Sequence, residues 1–237
     1  MGTDSTGRDI FARIIYGGQI SLLVGFLAVI VAALVGVLIG AFSGYYGGVV
    51  DSVLMRFTEA MLAIPTLLIL IVLSKALLGR IPNLTFLDRS ISGSVPIVIL
   101  VIGVTSWMYG ARIVRAQFLS IREQEYVTAA HALGVKNDRI IWRHILPNTM
   151  GPIIVFAALG LVNAITLEAY VSFLGLGVQE PTASWGNIIN QALSFIQRGV
   201  WWLWFFPSLM IILTLLCVNF LGDGLRDALD PRNLVES

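Results

Sequence analysis

Long uncharged hydrophobic runs, separated by shorter polar segments, recur along this chain. A bilayer core about 30 Å thick requires around 20 apolar residues per helical span. Four runs reach that length: residues 20–42, 90–111, 145–167 and 199–222. A fifth run, residues 60–74, covers only about 22 Å as a helix. It can still cross the bilayer if Thr58 and Glu59 face protein and the Lys75 side chain reaches the interface. The pattern predicts an all-α polytopic membrane protein with five transmembrane helices.

The composition supports this class. Hydrophobic residues make up 57% of the 237 positions and charged residues only 12%, whereas soluble domains carry about 25% charged residues. These values exclude a water-soluble globule, a disordered chain and a disulfide scaffold. The formal charge of +1 does not indicate a nucleic-acid partner, and the single cysteine, Cys217, excludes an intrachain disulfide.

The first 19 residues lack the pattern of a cleavable signal peptide, because charges of both signs precede the first hydrophobic run. Four apolar residues among them recur at helical spacing: Ile10, Phe11, Ile14 and Ile15. We expect Arg8, Asp9 and Arg13 to lie away from that apolar face. The spacing predicts a short helix along the outer interface that turns into the first span, and a loop with chance periodicity is the alternative.

Basic residues favour one orientation in the membrane. Nine lie on the side of the polar segment between the runs 90–111 and 145–167: Arg56, Arg112, Arg115, Arg122, Lys136, Arg139, Arg143, Arg226 and Arg232. Six lie on the other side: Arg8, Arg13, Lys75, Arg80, Arg89 and Arg198. The predicted organisation is therefore an outer interfacial segment (1–19), a transmembrane domain (20–222) with a cytoplasmic loop (120–148), and a cytoplasmic tail (223–237).

Small residues repeat every four positions in the first span, at Ala32, Gly36, Gly40 and Gly44. This spacing places them in one row on a helix, where they allow another helix to approach closely. We interpret the row as packing within the chain. Near the outer end of the last span, Trp201, Trp202 and Trp204 are placed as interfacial anchors.

The cytoplasmic loop contains two predicted short helices. One runs from about Glu123 to Leu133 and ends at Gly134, and the other starts after Asn137 or Asp138 and stops at Pro147. We expect Tyr126, Ala130 and Leu133 to share one stripe of the first helix. A compact helix–glycine–helix unit with small residues offers a surface on which a partner protein can seat.

These residues resemble the cytoplasmic signature of permease subunits of ATP-binding-cassette (ABC) importers. That signature is Glu-Ala-Ala, three residues, Gly, nine residues and Ile-x-Leu-Pro. The matching positions are Thr128-Ala129-Ala130, Gly134 and His144-Ile145-Leu146-Pro147. Thr128 replaces the signature glutamate, and His144 replaces the isoleucine.

Other stretches resemble the dipeptide, oligopeptide and nickel branch of these permeases. They are Gly2-Thr3-Asp4, Gly7-Arg8-Asp9, residues 172–179, Pro181 and Ser184-Trp185-Gly186. Glu180 stands where this branch has a second proline. Members of the branch carry a further span before the Gly-Thr-Asp stretch. Three alternatives follow for this chain: a fragment, a product of internal initiation or a short variant.

The resemblance implies a fold, a function and partners. The fold is that of type I ABC importer permeases (MetI-like), and the function is ATP-driven import of di- or oligopeptides across the prokaryotic cytoplasmic membrane. The implied partners are a second homologous permease, two ATPase subunits that bind ATP and Mg²⁺, an extracytoplasmic substrate-binding protein and the lipid bilayer. Import of nickel or glutathione by the same machinery is the alternative.

The resemblance also implies which residues couple the chain to its ATPases. Ala129, Ala130 and Gly134 form the close-contact surface, and Glu125 and Arg143 are polar contacts. Thr128 and Pro147 complete the motif.

The chain itself shows no pattern for catalysis, nucleotide binding or metal binding. A phosphate-binding loop needs a lysine after a glycine, and neither Lys75 nor Lys136 follows one. Both histidines, His131 and His144, lie in the cytoplasmic loop, so a metal site of histidines in the pore is not indicated. A gradient-driven secondary transporter is a second hypothesis, although no clear inverted repeat is visible. An intramembrane enzyme is a third, weak one.

Two residues of the fourth span are candidates for the substrate pathway. Glu168 lies near its outer third, where a carboxylate is costly unless it faces water or a partner. A hydrogen-bonding role between helices is the alternative for Glu168. Asn163 lies five positions earlier, roughly 140° around the helix, so the two side chains need not share a face.

Overall fold

The computed structural model describes residues 2–4, 6–86 and 89–229. The α-helices in these ranges are α1 (Ile10–Tyr46), α2 (Gly48–Ala63), α3 (Thr66–Leu77), α4 (Ser94–Thr105), α5 (Met108–Arg122), α6 (Glu125–Ala132), α7 (Asn137–Ile140), α8 (Met150–Phe173), α9 (Trp185–Ala192) and α10 (Trp202–Leu229). Strands β1 (Leu84–Phe86) and β2 (Arg89–Ile91) pair antiparallel, with Leu84 opposite Ile91. A 3-10 helix, Leu193–Arg198, follows α9. Residues 230–237, which include Arg232 and the end of the predicted tail, lie outside the described residues, and residues 223–229 belong to α10.

Three helical stretches in the described ranges are each long and apolar enough to cross a bilayer: Ile10–Tyr46, Asn137–Phe173 and Trp202–Leu229. Two bent helix pairs, α2 with α3 and α4 with α5, bring the number of spans to five if each pair crosses once. The all-α polytopic fold is therefore confirmed. The second and third spans differ from the single helices that the hydrophobic runs predict.

The bend in the second span follows from its sequence. Helices α2 and α3 meet at 86° around Ile64 and Pro65. Proline has no amide hydrogen to donate and forces the preceding residue into extended backbone, so Ile64 ends α2. Thr58 is buried as expected, but Glu59 is exposed. In the third predicted span, Ser90 and Ile91 belong to β2, and α4 and α5 are bent by 44°.

The N-terminal segment continues directly into the first span. Asp9 caps α1 by accepting a hydrogen bond from the Phe11 amide at 2.9 Å, and the helix then runs unbroken to Tyr46. The predicted interfacial helix is therefore the first part of α1 and not a separate element. Arg13 is buried beside Ile10 and Ile14, contrary to the prediction that it lies away from them.

The sequence predicts that the second loop helix stops at Pro147, but in the structure the helical turns continue past this residue. Helix α7 starts at Asn137 after Lys136, and a π-helical turn (Ile141–Ile145) and a 3-10 turn (Leu146–Thr149) connect it to α8. Because Pro147 cannot donate a backbone hydrogen bond, the local turn changes its hydrogen-bonding pattern. The Asn148 side chain also donates to the His144 carbonyl at 2.7 Å. The fourth span extends to Phe173.

Helix α1 packs against α4, α5 and α8 and forms the centre of the bundle. Its small-residue row faces α5, as predicted for packing within the chain. A Cβ atom at Gly40 would lie 2.5 Å from the Ala111 carbonyl oxygen, and one at Gly44 would lie 2.6 Å from the Phe118 Cβ. Since real Cβ atoms do not approach other atoms so closely, glycine permits this helix spacing.

Candidate coupling surface and internal cavity

Helix α6 forms the first half of the helix–glycine–helix unit. It ends at Ala132, and Gly134 follows in the left-handed backbone region with φ of +76°. The Gly134 amide donates to the His131 carbonyl at 2.9 Å, and the Val135 amide donates to the Ala130 carbonyl at 3.1 Å. A residue with a side chain is strained in this conformation, which explains glycine at the turn. The predicted helix end is confirmed.

The predicted coupling residues divide between two faces. Ala130 is only 7% exposed and packs with Val127 in a buried cluster that includes Phe118 and Ile140. The others are exposed: Glu125, Thr128, Ala129, Gly134, Arg143 and Pro147. The surface available to a partner is therefore the one that carries Ala129, whereas Ala130 supports the loop from inside.

The predicted stripe of Tyr126, Ala130 and Leu133 does not form one uniform face of α6. Tyr126 and Leu133 are 46% and 83% exposed, while Ala130 is buried. Because α6 ends at Ala132, the helical period does not extend to Leu133. Exposed apolar side chains next to Ala129 leave this face of the loop with an uncovered hydrophobic surface.

A cavity of about 1110 Å³ lies among α1, α4, α5, α8 and α10. Its apolar wall includes Ala28, Val29 and Ala32 of α1. Its polar lining consists of Ser106, Tyr109, Gln117, Asn148, Asn163 and Arg226. Within the described part of the chain, the Ser106 hydroxyl has no hydrogen-bond partner. Pro147 and Asn148 also line the cavity, so it extends to the end of the loop 120–148.

Of the two predicted pathway residues, Asn163 lines this cavity and Glu168 does not. The other polar lining residues were not predicted, although uncharged polar positions within hydrophobic runs were a signal that could have indicated them. Their common position on the cavity depends on how five helices pack, which no single run specifies.

Glu168 is completely buried between α1, α8 and α9. The Ser21 hydroxyl donates to Oε2 at 2.8 Å, and the Ser172 hydroxyl donates to Oε1 at 2.7 Å. The same two hydroxyls accept backbone hydrogen bonds from Trp185 at 3.2 Å and Val178 at 3.0 Å. This arrangement favours the alternative in which Glu168 joins helices by hydrogen bonding.

A network of charged side chains joins the N-terminal segment to the loop after α8. Asp4 and Arg13 are each 8% exposed, and Arg13 Nη1 lies 2.6 Å from Asp4 Oδ2 and 2.7 Å from Gln191 Oε1. Arg8 Nε also contacts Asp4 Oδ2, at 2.6 Å, and its Nη2 contacts Glu180 Oε1 at 2.8 Å. The Gly-Thr-Asp and Gly-Arg-Asp stretches thus hold the N-terminal end of α1 against the segment after α8, a structural role that the sequence did not indicate. Arg13 is buried because Asp4 neutralises its charge.

The network changes the pKa values of its carboxyl groups. Burial raises the pKa of Asp4, but hydrogen bonds from Arg8 and Thr6 outweigh that effect and hold the pKa well below its ordinary value. The hydrogen bond from Arg8 likewise lowers the pKa of Glu180, against the opposing effect of burial. Since both pKa values are lowered on folding, the network stabilises the folded state above the unfolded-state pKa of about 4. That contribution is lost as the pH falls through the folded-state values.

We expect Asp4→Asn to weaken the attachment of the N-terminal segment. The amide cannot compensate the buried Arg13 charge, so the free energy of unfolding should fall by about 1–3 kcal/mol at neutral pH. Thermal unfolding in detergent between pH 3 and 7 measures the effect, and the acid-induced loss of stability should be smaller in the variant than in the wild type. Asp9→Asn is the matched control because asparagine is an equally good helix cap. Equal stability of Asp4→Asn and wild type at pH 7 would contradict the role of the network.

Among the described residues, no three His, Cys, Asp or Glu side chains lie close enough together to bind a metal ion.

At the level of sequence, the chain is similar to membrane components of transport systems. Residues 36–235 match the family described as "binding-protein-dependent transport system inner membrane component". The chain is 46% identical over 231 residues to the dipeptide transport system permease protein DppC of Bacillus subtilis, covering 98% of this chain and 68% of that protein. It is also 46% identical over 232 residues to the oligopeptide transport system permease protein OppC of Escherichia coli K12, covering 98% and 72%.

Solved structures show the same fold at low sequence identity. The inward-facing MetNI methionine ABC transporter aligns with a TM-score of 0.69 and 16% identity, covering 93% of this chain and 97% of the other. An amino acid ABC transporter crystallised with histidines aligns with a TM-score of 0.60 and 20% identity, covering 92% and 94%.

Proposed function

Because this chain belongs to the family of binding-protein-dependent transport system inner membrane components, we propose that it is the membrane-spanning subunit of an ATP-driven importer of di- or oligopeptides. The observation that carries this proposal is 46% identity, over 98% of the chain, to dipeptide and oligopeptide permeases. The cavity that reaches the coupling loop agrees with it, because movement of the loop can act directly on the cavity wall.

The proposed contact with the ATPases is the exposed face of α6 around Ala129 and the Gly134 turn. A small side chain at Ala129 allows close approach, and the neighbouring exposed Leu133 adds apolar area. Glu125 and Arg143 are exposed and suited to polar contacts at the rim. Ala130 stabilises this surface from within the chain.

The proposed substrate path is this cavity, which is open on one side at the exposed Tyr109. Its polar lining is mostly uncharged, which suits the amide groups common to all peptides and does not require one side-chain type. Ser106 and Asn163 are the proposed contacts at mid-membrane, and the Ser106 hydroxyl has no partner among the described residues that would compete with a substrate. Glu168 is not part of this path.

The remaining parts of the importer belong to other chains. We propose a second homologous permease, two ATPase subunits that hold ATP and Mg²⁺, and an extracytoplasmic substrate-binding protein. This chain would then hold no cofactor and catalyse no reaction by itself. The excess of basic residues on the loop side favours a cytoplasmic location for the loop and the C-terminus.

Reconstitution in proteoliposomes tests the function. The chain is assembled with its partner permease, ATPases and binding protein, and uptake of a labelled dipeptide and a labelled pentapeptide is measured separately. We expect uptake of at least one peptide to require ATP and to persist with an uncoupler. Uptake that the uncoupler abolishes would contradict the proposal and support a gradient-driven transporter. Uptake of Ni²⁺ or glutathione, without uptake of either peptide, would show that peptides are not the substrate class.

A further inference from the structure

The hydroxyl group of Tyr45 joins the end of α1 to both helices of the coupling loop. It lies 3.0 Å from His131 Nε2, at the end of α6, and 2.9 Å from Asn137 Oδ1, at the start of α7. The Tyr45 and His131 rings are also stacked, with their planes 14° apart and their centroids 6.1 Å apart. Tyr45 therefore spans the glycine turn between the two helices.

The donors and acceptors of this contact are complementary. A tyrosine hydroxyl has one hydrogen, and Asn137 Oδ1 can only accept, so Tyr45 donates to Asn137. The Tyr45 oxygen then accepts a hydrogen bond from His131, which assigns a proton to His131 Nε2. Both bonds are satisfied together only when α6 and α7 keep their positions relative to α1.

The Tyr45 side chain is held firmly on the α1 side of this contact. It is 9% exposed and packs in the buried cluster with Val127, Ala130 and Ile140. Arg122, at the end of α5, donates to the Gly44 and Tyr45 carbonyl oxygens at 3.2 Å each. The last turn of α1 is therefore fixed to α5, and the hydroxyl projects from a rigid base toward the loop.

The same helix forms the apolar wall of the cavity. Ala28, Val29 and Ala32 lie on that wall, and Ala32 is about 20 Å from Tyr45 along α1 at 1.5 Å per residue. Because α1 is unbroken between these positions, a displacement of its inner end moves the wall as well.

We propose that Tyr45 is a positioning residue that couples displacement of the loop helices to α1 and thereby to the cavity. This inference rests on the proposed function and names the residue that transmits ATPase movement to the translocation path. Docking of the ATPase depends on the exposed face of α6 that carries Ala129. Transmission of the movement depends on the contact of Tyr45 with His131 and Asn137 on the opposite side of the loop.

The test is Tyr45→Phe in the complete reconstituted complex, with Tyr46→Phe as the matched control. Phenylalanine keeps the packed ring and removes both hydrogen bonds, while His131 and Asn137 are exposed and can bond to water. We expect normal co-purification of the ATPases, continued ATP hydrolysis, and peptide uptake reduced about fivefold to thirtyfold. The amount of ATP hydrolysed per peptide imported should rise accordingly. Asn137→Ala combined with Tyr45→Phe should be no worse than Tyr45→Phe alone.

Each outcome distinguishes the inference from the proposed function. Wild-type uptake by Tyr45→Phe, with an unchanged ratio of ATP to peptide, would overturn the inference and leave the proposed function intact. If Tyr45→Phe loses both ATPase retention and peptide uptake, the inference is also overturned, since Tyr45 would then shape the docking surface. Failure of the wild-type chain to retain any ATPase would contradict the proposed function itself. Thermal unfolding of both variants establishes that equal amounts of folded complex are compared.

Discussion

Replacing Ala129 with arginine is expected to release the ATPase subunits while leaving the membrane helices folded. Ala129 is exposed on α6, so a longer side chain does not overlap with the chain's own core. In the assembled importer, steric overlap and an unpaired buried charge should reduce ATPase retention about tenfold or more. Peptide uptake should fall with it.

Co-purification of tagged chain with its ATPases measures this effect. Ser52→Arg is the matched control, because Ser52 is exposed on α2 and the substitution adds the same charge outside the loop. Ala130→Arg is a less informative variant, since Ala130 is buried and arginine there would disrupt the cluster beneath the loop. Full retention of the ATPases by Ala129→Arg would show that this face of α6 is not the coupling surface.

Removing the Glu168 carboxylate is expected to destabilise the chain strongly. In Glu168→Leu, the Ser21 and Ser172 hydroxyls both lose their buried acceptor, so the free energy of unfolding should fall by about 2–5 kcal/mol. Glu168→Gln retains one carbonyl acceptor and should lose less. Thermal unfolding in detergent ranks the two variants against wild type.

Asn163→Ala provides the contrast that separates a structural from a pathway residue. Its side chain lies on the cavity, so we expect reduced peptide uptake with little change in stability. For Glu168→Gln we expect the reverse: lower stability and normal uptake per folded complex. Reduced uptake by a fully stable Glu168→Gln variant would contradict the structural role and return Glu168 to the pathway.

The sequence determined the membrane class, the approximate position of each span and the helix–glycine turn of the loop. These features depend on local properties: the length of an uncharged run and the freedom of Gly134 to adopt positive φ. The row of Gly36, Gly40 and Gly44 was equally readable, because small residues at a four-residue spacing permit close packing wherever the partner helix lies.

The tertiary structure alone decided which side of each helix is buried, lines the cavity or is exposed. In a soluble protein, apolar residues at a spacing of three or four positions reveal the buried face of a helix. Lipid is as apolar as a protein core, so a membrane helix carries little of that signal. Ala130 and Ala129 are neighbours with opposite exposure, and Asn163 and Glu168 share a helix but not a cavity. Arg13 is buried because Asp4, which lies in the segment before α1, forms an ion pair with it. Local sequence set which segments form helices, and contacts between distant segments set what each side chain does.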